Sequence, residues 1–279
     1  MKKKKLLTYG LLAGAAIGLP LLLLFPGRPS KTKKAPFEGR RFAHRGLHSP
    51  DLAVPENSLA AFRRAADRGY GIELDVQLSA DGHVMVFHDD TLDRVCGVPG
   101  RLDQFTLSEL RMLRLCGTEQ VIPLLSEVLS VVAGRVPLIV ELKNGKNNRE
   151  LCERTLALLR SYAGDVCIES FNPWIVAWFR FHATDLLRGQ LAQPASYYSD
   201  SGVSRYLRWA LSNTLLNFLA RPNFIACRIG PKPLGVRIAE ALGAMKVGWT
   251  SHGLTEEQGL DAVIFEYYRP EAVMERAGR

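Results

Sequence analysis

The sequence predicts an α/β fold in which short β-strands alternate with α-helices. Short apolar segments typical of buried strands are followed by longer segments in which apolar residues recur with helical spacing, and this alternation indicates βα units around a mostly parallel sheet. The chain has 279 residues, and a single (β/α)8 barrel of about 250 residues would fill it. Apolar residues make up 47% and charged residues 23%, which argues against a disordered or collagen-like chain. We therefore predict a TIM-type (β/α)8 barrel.

Nine strands and seven helices are predicted in order along the chain. The strands cover residues 41–44, 72–78, 84–88, 138–142, 166–171, 189–192, 224–229, 246–250 and 262–266. The helices cover residues 58–68, 108–115, 124–133, 149–162, 174–182, 204–219 and 234–242.

The ninth strand is explained by a hairpin. Strands 72–78 and 84–88 are separated by residues 79–83, whereas a parallel crossover needs about a dozen residues or more. These two strands are therefore predicted to be antiparallel, with their turn at Asp81-Gly82, a dipeptide typical of hairpins. Pairing about this turn makes the numbers of opposed residues sum to about 163, which puts His88 beside Asp75.

The N-terminal segment is predicted to be a membrane anchor. Residues 6–25 contain no charged residue, and a helix of that length, at about 1.5 Å per residue, spans about 30 Å of hydrocarbon. A cleavable signal peptide has a shorter apolar core and a small-x-small cleavage site, but this core ends in Phe25-Pro26-Gly27-Arg28. We expect an uncleaved single-pass anchor in residues 1–27, with a signal peptide as the alternative, a basic linker in residues 28–40 and the barrel domain in residues 41–279.

The distribution of charge argues against a nucleic-acid partner. The formal net charge is +8. Residues 1–34 hold eight lysines and arginines and no acidic residue, so the rest of the chain sums to zero. A neutral body lacks the basic surface on which non-specific nucleic-acid binding depends.

Basic residues flank the apolar segment on both sides, so the positive-inside rule does not decide on which side of the membrane the barrel domain lies. The sequence does not decide the oligomeric state either.

The five cysteines are widely spaced and include no Cys-x-x-Cys pair, which excludes a zinc ribbon and a small disulfide scaffold. Cys167 and Cys227 lie in apolar strand-like segments, where a free thiol packs as a small apolar group. We expect buried, reduced cysteines.

Polar side chains cluster at the predicted ends of four consecutive strands. They are His44, Arg45, Glu73, Asp75, His88, Glu141 and Lys143. Each alone is explained by a solvated strand face or a hydrogen-bonded core histidine, but their joint occurrence favours a site at the mouth where parallel strands converge. Three crowded carboxylates repel one another unless a cation neutralises them, and such oxygen ligands suit Mg²⁺, Ca²⁺ or Mn²⁺.

At these residues the sequence resembles the glycerophosphodiester phosphodiesterase family, over residues 41–270. The stretches that match are Ala43-His44-Arg45-Gly46, Pro55-Glu56-Asn57-Ser58, Glu73-Leu74-Asp75-Val76, Asp81-Gly82, His88-Asp89, Leu92-Asp93-Arg94, Pro123-Leu124-Leu125, Glu141-Leu142-Lys143, Ser170-Phe171 and Trp249-Thr250. The resemblance implies a TIM-type barrel that cleaves a glycerophosphodiester to sn-glycerol 3-phosphate and an alcohol.

The resemblance also implies roles for particular residues. The metal ligands for one divalent ion are Glu73, Asp75 and Glu141, the acid–base pair is His44 and His88, the phosphate-binding cations are Arg45 and Lys143, and Trp249 packs against the glycerol carbons. Which histidine is the base stays open, and our interpretation favours His44.

Two departures from the family pattern leave the alcohol open. Glu266 stands where the family has Thr-Asp, and Ser251-His252 follow Trp249-Thr250 where the family has Val-Asn.

Residues 196–222 form a long apolar link, predicted as a helix on the barrel core, with an apolar lip facing lipid as the alternative. Such a lip suits a lysophospholipid, so a lysophospholipase D or phospholipase C-like activity is a second hypothesis. A non-catalytic protein that binds phospholipid headgroups is a third.

Overall fold

Eight parallel strands close into a barrel in the computed structural model, which describes residues 21–198 and 202–274. The strands are β1 (Arg41–Ala43), β2 (Gly71–Leu78), β3 (Val84–Val86), β4 (Leu138–Leu142), β5 (Val166–Ser170), β6 (Leu187–Ala192), β7 (Phe224–Arg228), β8 (Met245–Ser251) and β9 (Ala262–Phe265). The parallel strands pair in the order β1-β9-β8-β7-β6-β5-β4-β2, and β1 also pairs with β2, which closes the cylinder. β3 runs antiparallel to β2. The predicted barrel with an added hairpin is confirmed.

Helices cover the outside of the barrel or lie in the loops that join its strands. They are α1 (Lys31–Lys34), α2 (Leu59–Asp67), α3 (Asp93–Cys96), α4 (Leu107–Leu110), α5 (Leu125–Val132), α6 (Asn148–Arg160), α7 (Pro173–His182), α8 (Arg205–Ser212), α9 (Asn217–Ala220) and α10 (Leu234–Ala241). Short 3₁₀ turns occur at Leu102–Gln104, Leu115–Gly117, Ala195–Tyr198 and Leu254–Glu257. The Ser58 hydroxyl accepts a hydrogen bond from the Ala61 N–H and starts α2.

The alternation of side chains along the strands separates the core from the site. In β2, Ile72, Leu74 and Val76 pack outward among the helices, while Glu73 and Asp75 lie on the opposite face, toward the barrel interior. The interior is apolar near the amino ends of the strands, where Phe42 and Phe224 belong to one buried cluster. The buried carboxylates lie nearer the carboxyl ends, at the face where barrel enzymes place their active sites.

The hairpin has a register one residue away from the prediction. Opposed residues such as Val76 and Val86 sum to 162, so the turn is centred on Asp81 and not between Asp81 and Gly82. The cause is a loop in which the Ser79 N–H donates to the His83 carbonyl and Gly82 takes a left-handed φ of +83°. Consequently Phe87, not His88, lies opposite Asp75, and the Phe87 N–H donates to the Asp75 carbonyl.

The predicted helix 204–219 is wrong in its extent, because the chain breaks there into α8 and α9. Thr214, between the two helices, has a φ of +52°, which no continuous α-helix accepts. The expected packing on the core is also wrong for α8, since Ser212 is the one residue of this helix that is buried.

Most of the predicted membrane segment 6–25 lies outside the described residues. Residues 21–24 are helical, and Leu24 is buried against the barrel wall. Within residues 21–198 and 202–274, we find no helix with the length and apolar character needed to cross a membrane. The linker after this segment covers the amino end of the barrel, where the Phe37 and Phe42 rings stack with centroids 6.2 Å apart.

All five cysteines are free thiols in the described part of the chain. Cys152, Cys167 and Cys227 are buried, as predicted, whereas Cys96 and Cys116 are only half-buried, so the prediction of burial is wrong for these two.

Candidate active site

Three carboxylates meet in the barrel interior at the carboxyl ends of β2 and β4. One oxygen from each of Glu73, Asp75 and Glu141 lies within 4.8 Å of the others, and all three residues are buried. The parallel register places Asp75 beside Glu141, because β2 and β4 are neighbours. The predicted ligand set is therefore brought together, and this buried acidic triad could bind a metal ion.

Two cations lie beside the triad. The Lys143 Nζ is 2.9 Å from a Glu141 oxygen and 3.4 Å from an Asp75 oxygen. Arg45 comes two residues after the end of β1 and has a left-handed φ of +54°. Its backbone N–H donates a hydrogen bond to a Glu73 oxygen, and its side-chain Nε lies 3.7 Å from an Asp75 oxygen. Lys143 contacts Glu141 and Asp75, and Arg45 contacts Glu73 and Asp75, so neither cation contacts all three carboxylates. The negative charge of the triad is therefore only partly neutralised by side chains.

The carboxylates respond to this environment in opposite directions. Burial, together with the neighbouring carboxylates, raises the pKa of Glu73 well above its ordinary value and raises the pKa of Glu141 as well. Burial also opposes ionisation of Asp75, but the charges of Lys143 and Arg45 hold its pKa well below the ordinary value. A divalent cation would offset both the burial and the repulsion that raise the pKa of Glu73.

His44 lies between the triad and a fourth acid. Its Nε2 is 3.9 Å from a Glu73 oxygen, and its Nδ1 is 3.4 Å from a Glu266 oxygen. Burial and the adjacent Arg45 lower the pKa of His44, although Glu266 acts in the opposite direction. Burial likewise opposes ionisation of Glu266, but contacts with His44 and His48 hold its pKa well below the ordinary value. Glu266 therefore supplies the negative charge beside the Nδ1 of His44.

His88 is held by a second chain of charges on the same half of the mouth. Its Nδ1 lies 2.6 Å from an Asp89 oxygen. Arg94 donates to both Asp89 and Glu56, and Glu56 also accepts a hydrogen bond from Arg45. The two histidines are thus joined to the triad through a continuous set of ion pairs.

Trp249 lies on the other half of the mouth, at the end of β8. Its Nε1 donates to the Ala192 and Ala226 carbonyls, and its ring makes an edge contact with Phe171 at 5.9 Å between centroids. The Arg228 guanidinium lies 5.5 Å from the same ring. This wall can pack against carbon atoms of a substrate.

Comparison with known proteins identifies the family. The model of the glycerophosphoryl diester phosphodiesterase family matches residues 44–266, which is most of the chain. The chain belongs to this family.

Relatives and solved structures agree with this assignment. A glycerophosphodiester phosphodiesterase of Caldanaerobacter subterraneus subsp. tengcongensis is 36% identical over 164 residues, which cover 54% of this chain and 65% of the relative. A lysophospholipase D of Rattus norvegicus is 31% identical over 164 residues, which cover 54% of this chain and 50% of the relative. The alignments thus span about half to two thirds of these relatives. An Oleispira antarctica phosphodiesterase, solved with the product sn-glycerol-3-phosphate, shares the fold with a TM-score of 0.67 and 24% identity, covering 82% of this chain and 93% of that one.

The donor set of this phosphodiesterase family member fits a divalent cation. The Asp75 Oδ1 and the Glu169 Oε2 are buried and have no hydrogen-bond partner among the described residues. Glu169, in β5 next to Glu141 in β4, adds a fourth carboxyl to the group, and burial raises its pKa well above the ordinary value. Two buried carboxylate oxygens that accept no hydrogen bond, one of them 3.4 Å from the Lys143 Nζ, lie beside a crowded triad, an arrangement that a hard cation satisfies.

Sequence reasoning missed several residues of this site. Asn57 donates from its Nδ2 to Asp75 at 2.9 Å and so orients one member of the triad. Glu56, Asp89 and Arg94 were visible as parts of matching motifs but were given no role. Glu266 was placed at the substrate end as a departure from the family pattern, whereas the structure puts it against His44.

Two histidines that no motif marked also approach Glu266. The His48 Nε2 lies 3.4 Å from one oxygen, and the His252 Nε2 lies 3.8 Å from the other. No spacing rule could have found this cluster, because its members come from the ends of different strands.

Proposed function

We propose that this protein hydrolyses glycerophosphodiesters to sn-glycerol 3-phosphate and an alcohol by metal-assisted acid–base catalysis. The observation that carries the proposal is the buried triad of Glu73, Asp75 and Glu141, with one histidine beside it and a second joined to it by a chain of ion pairs. A protein that only binds headgroups has no need of such a pair, which argues against the non-catalytic alternative.

The metal site is proposed as Glu73, Asp75 and Glu141, holding one divalent ion such as Mg²⁺, Ca²⁺ or Mn²⁺. Such an ion, when bound, acts as a Lewis acid toward a phosphate oxygen. Arg45 and Lys143 are proposed to bind the phosphate, since both cations border the triad and a phosphodiester carries one negative charge.

The two histidines are proposed to move the protons. His44 takes the proton of the attacking hydroxyl, from water or from the neighbouring glycerol hydroxyl. As the new P–O bond forms, the P–O bond to the alcohol breaks, and His88 gives its proton to the leaving oxygen. When water attacks, this step gives glycerol 3-phosphate directly. When the glycerol hydroxyl attacks, it gives a cyclic phosphodiester, which water then opens: His88 takes the proton of that water, and His44 returns its proton to the glycerol oxygen as the ring P–O bond breaks. Two contacts support this assignment: Glu266 at Nδ1 of His44 leaves Nε2 free to accept a proton, and the ionised Asp89 at Nδ1 of His88 stabilises a protonated ring.

The test uses the full chain in detergent with glycerophosphocholine as substrate. Release of glycerol 3-phosphate is measured after EDTA treatment and after Mg²⁺, Ca²⁺ or Mn²⁺ is restored. We expect turnover that requires metal and that is lost in Glu73→Gln. Glu153→Gln, a matched change on the exposed side of α6, should behave as the parent. Turnover that survives both EDTA and Glu73→Gln would exclude the proposed metal site.

A lysophospholipid is the second candidate substrate. The exposed aromatic residues of α8 favour it, as does the rat relative that is a lysophospholipase D. Turnover of lysophosphatidylcholine without turnover of glycerophosphocholine would select it.

Residues 1–27 are proposed as a single-pass membrane anchor, residues 28–40 as a linker and residues 41–279 as the catalytic domain. The uncharged stretch 6–25 supports the anchor. Resistance of the full chain to carbonate extraction from membranes is expected. Recovery of a mature protein that lacks these residues would instead support the signal-peptide alternative.

A further inference from the structure

One helix on the barrel wall exposes aromatic side chains instead of burying them. In α8, Tyr206 is 74% exposed and Trp209 is 59% exposed, and their spacing of three places them on one side of the helix. Leu207 and, in α9, Phe218 are also exposed. These four residues, Tyr206, Leu207, Trp209 and Phe218, form what we call the α8–α9 face. Contiguous exposed apolar groups of this size mark a surface that binds something.

The charge of this region restricts what can bind there. Residues 204–221, which span α8 and α9, contain Arg205, Arg208 and Arg221 and no aspartate or glutamate. Residues 35–279 sum to zero charge, so this segment is more basic than the body as a whole. Arg205 lies over the Tyr206 ring at 5.1 Å. A basic helix that presents Trp, Tyr and Leu is typical of helices that lie in the interface of an anionic bilayer.

The end of the uncharged N-terminal stretch lies at the same place. The Leu24 carbonyl accepts a hydrogen bond from the Asn217 Nδ2 at 3.1 Å, and the Phe25 carbonyl accepts one from the Arg221 Nη1 at 2.8 Å. Both donors belong to α9 or to the residue that follows it. Leu24 and Phe25, in the described end of that stretch, therefore contact the barrel at α9.

α8 packs near a turn that reaches the mouth of the barrel. The turn Ala195–Tyr198 joins β6 to the segment that leads into α8. Within that turn, the Tyr198 ring lies 6.2 Å from Phe171, which in turn contacts Trp249. A row of aromatic rings thus leads from the catalytic mouth toward the outer wall.

We propose that the α8–α9 face docks on the surface of an anionic lipid bilayer and holds the barrel mouth next to it. The docking is a property of this surface and does not depend on which diester is cleaved. It places the mouth within reach of amphiphilic phosphodiesters in the same bilayer.

The test is quenching of tryptophan fluorescence by brominated lipid. The full chain is reconstituted into vesicles of phosphatidylcholine and phosphatidylglycerol, with or without bromine on the acyl chains. Residues 1–27 contain no tryptophan, so any quenching reports on the barrel domain. We expect quenching of the parent protein and loss of about half of it or more in Trp209→Phe.

The matched control is Trp178→Phe. Trp178 stacks on His182 within α7, with ring centroids 4.2 Å apart, and its replacement should leave the quenching intact. Equal quenching in the parent and in Trp209→Phe would overturn the proposal. That result is the one expected if residues 6–20 or a second copy of the chain, and not lipid, covered the face.

A second variant tests the consequence for catalysis. Tyr206→Glu places a negative charge on an exposed position outside the catalytic machinery. We expect turnover of lysophosphatidylcholine in anionic vesicles to fall about threefold or more while turnover of soluble glycerophosphocholine is unchanged. An unchanged ratio of the two rates would contradict the docking. If neither substrate is turned over, the proposed function fails, but the quenching experiment still decides the docking.

Discussion

The two halves of the barrel mouth are built from different chemistry. The half formed by β1 to β4 holds the triad, Lys143, Arg45 and the ion pairs that lead to His88. The half formed by β5 to β8 is lined by the rings of Phe171, Tyr198 and Trp249. Charged groups on the first half are held by ion pairs, whereas the second half presents aromatic rings, of which Trp249 is held by hydrogen bonds to two backbone carbonyls.

This difference separates reaction from recognition. Proton transfer and charge stabilisation require groups held within tenths of an ångström, which dense ion pairing supplies. Recognition of an alcohol tolerates looser packing against apolar surface. Substitutions on the first half should therefore lower kcat, and substitutions on the second half should raise KM.

The largest effect is expected from the two histidines. His44→Ala or His88→Ala removes one of two proton transfers and should lower kcat by about 10²–10⁴-fold. The double variant should be only slightly worse than either single one, because both act in the same step. His83→Ala, at an exposed position in the hairpin turn, serves as the control. A loss of similar size in His83→Ala would mean that the assignment of His88 is wrong.

A smaller effect is expected from Glu266, which positions His44. Glu266→Gln should lower kcat by about 10–100-fold with little change in KM. Glu266 raises the pKa of His44 against burial and Arg45, so its neutralisation lowers that pKa further. The acidic limb of the profile of kcat/KM against pH should therefore move to lower pH.

Glu266→Asp provides the matched control for this prediction. It keeps the charge and should restore part of the rate and most of the pH profile. Identical profiles for the parent and Glu266→Gln would show that the 3.4 Å approach to His44 has no consequence for proton transfer.

The barrel and most of the charged half can be predicted from the sequence, because they depend on the alternation of apolar and polar residues along single strands. In β2, apolar and acidic residues alternate, and strand period alone places Glu73 and Asp75 on one face. The hairpin was wrong by one residue, because the dipeptide Asp81-Gly82 does not reveal the bonds that Ser79 makes within the loop.

Other features depend on contacts that no local pattern carries. Glu266 reaches His44 only because β9 closes the barrel against β1, across more than 200 positions of sequence. The break between α8 and α9 occurs at Thr214, which has a left-handed φ, and no glycine or proline marks it in the sequence. Periodicity over residues 204–219 therefore predicted one helix where two exist.

A more modest effect is expected on the aromatic half. Trp249→Leu removes the edge contact with Phe171 and should raise KM for glycerophosphocholine by about tenfold, with kcat little changed. Trp174→Leu, at an exposed position at the start of α7, should leave both constants unaltered. A loss confined to kcat would erase the distinction between the two halves.

The smallest effect concerns the stability of the fold. Without a bound cation, the crowded carboxyls of the first half should lower the free energy of unfolding. Burial and mutual repulsion raise the pKa of Glu73, Glu141 and Glu169 in the folded chain. Groups with a raised folded-state pKa contribute stability that is complete below the ordinary carboxyl pKa and is lost as pH rises through the folded-state value. In EDTA, the Tm of the parent should therefore fall as the pH is raised from about 5 to about 8.

Glu73→Gln removes one of these carboxyls and should be more stable than the parent in EDTA at the upper end of that range, by about 3–6 °C in Tm. Saturating Mg²⁺ should reverse the order, because the parent gains a ligand that the variant binds poorly. Glu153→Gln, on the surface of α6, should follow the parent in both conditions. If Glu73→Gln melts at or below the parent in EDTA at that pH, the three carboxylates are not in electrostatic conflict, and the argument for a cation between them loses its physical basis.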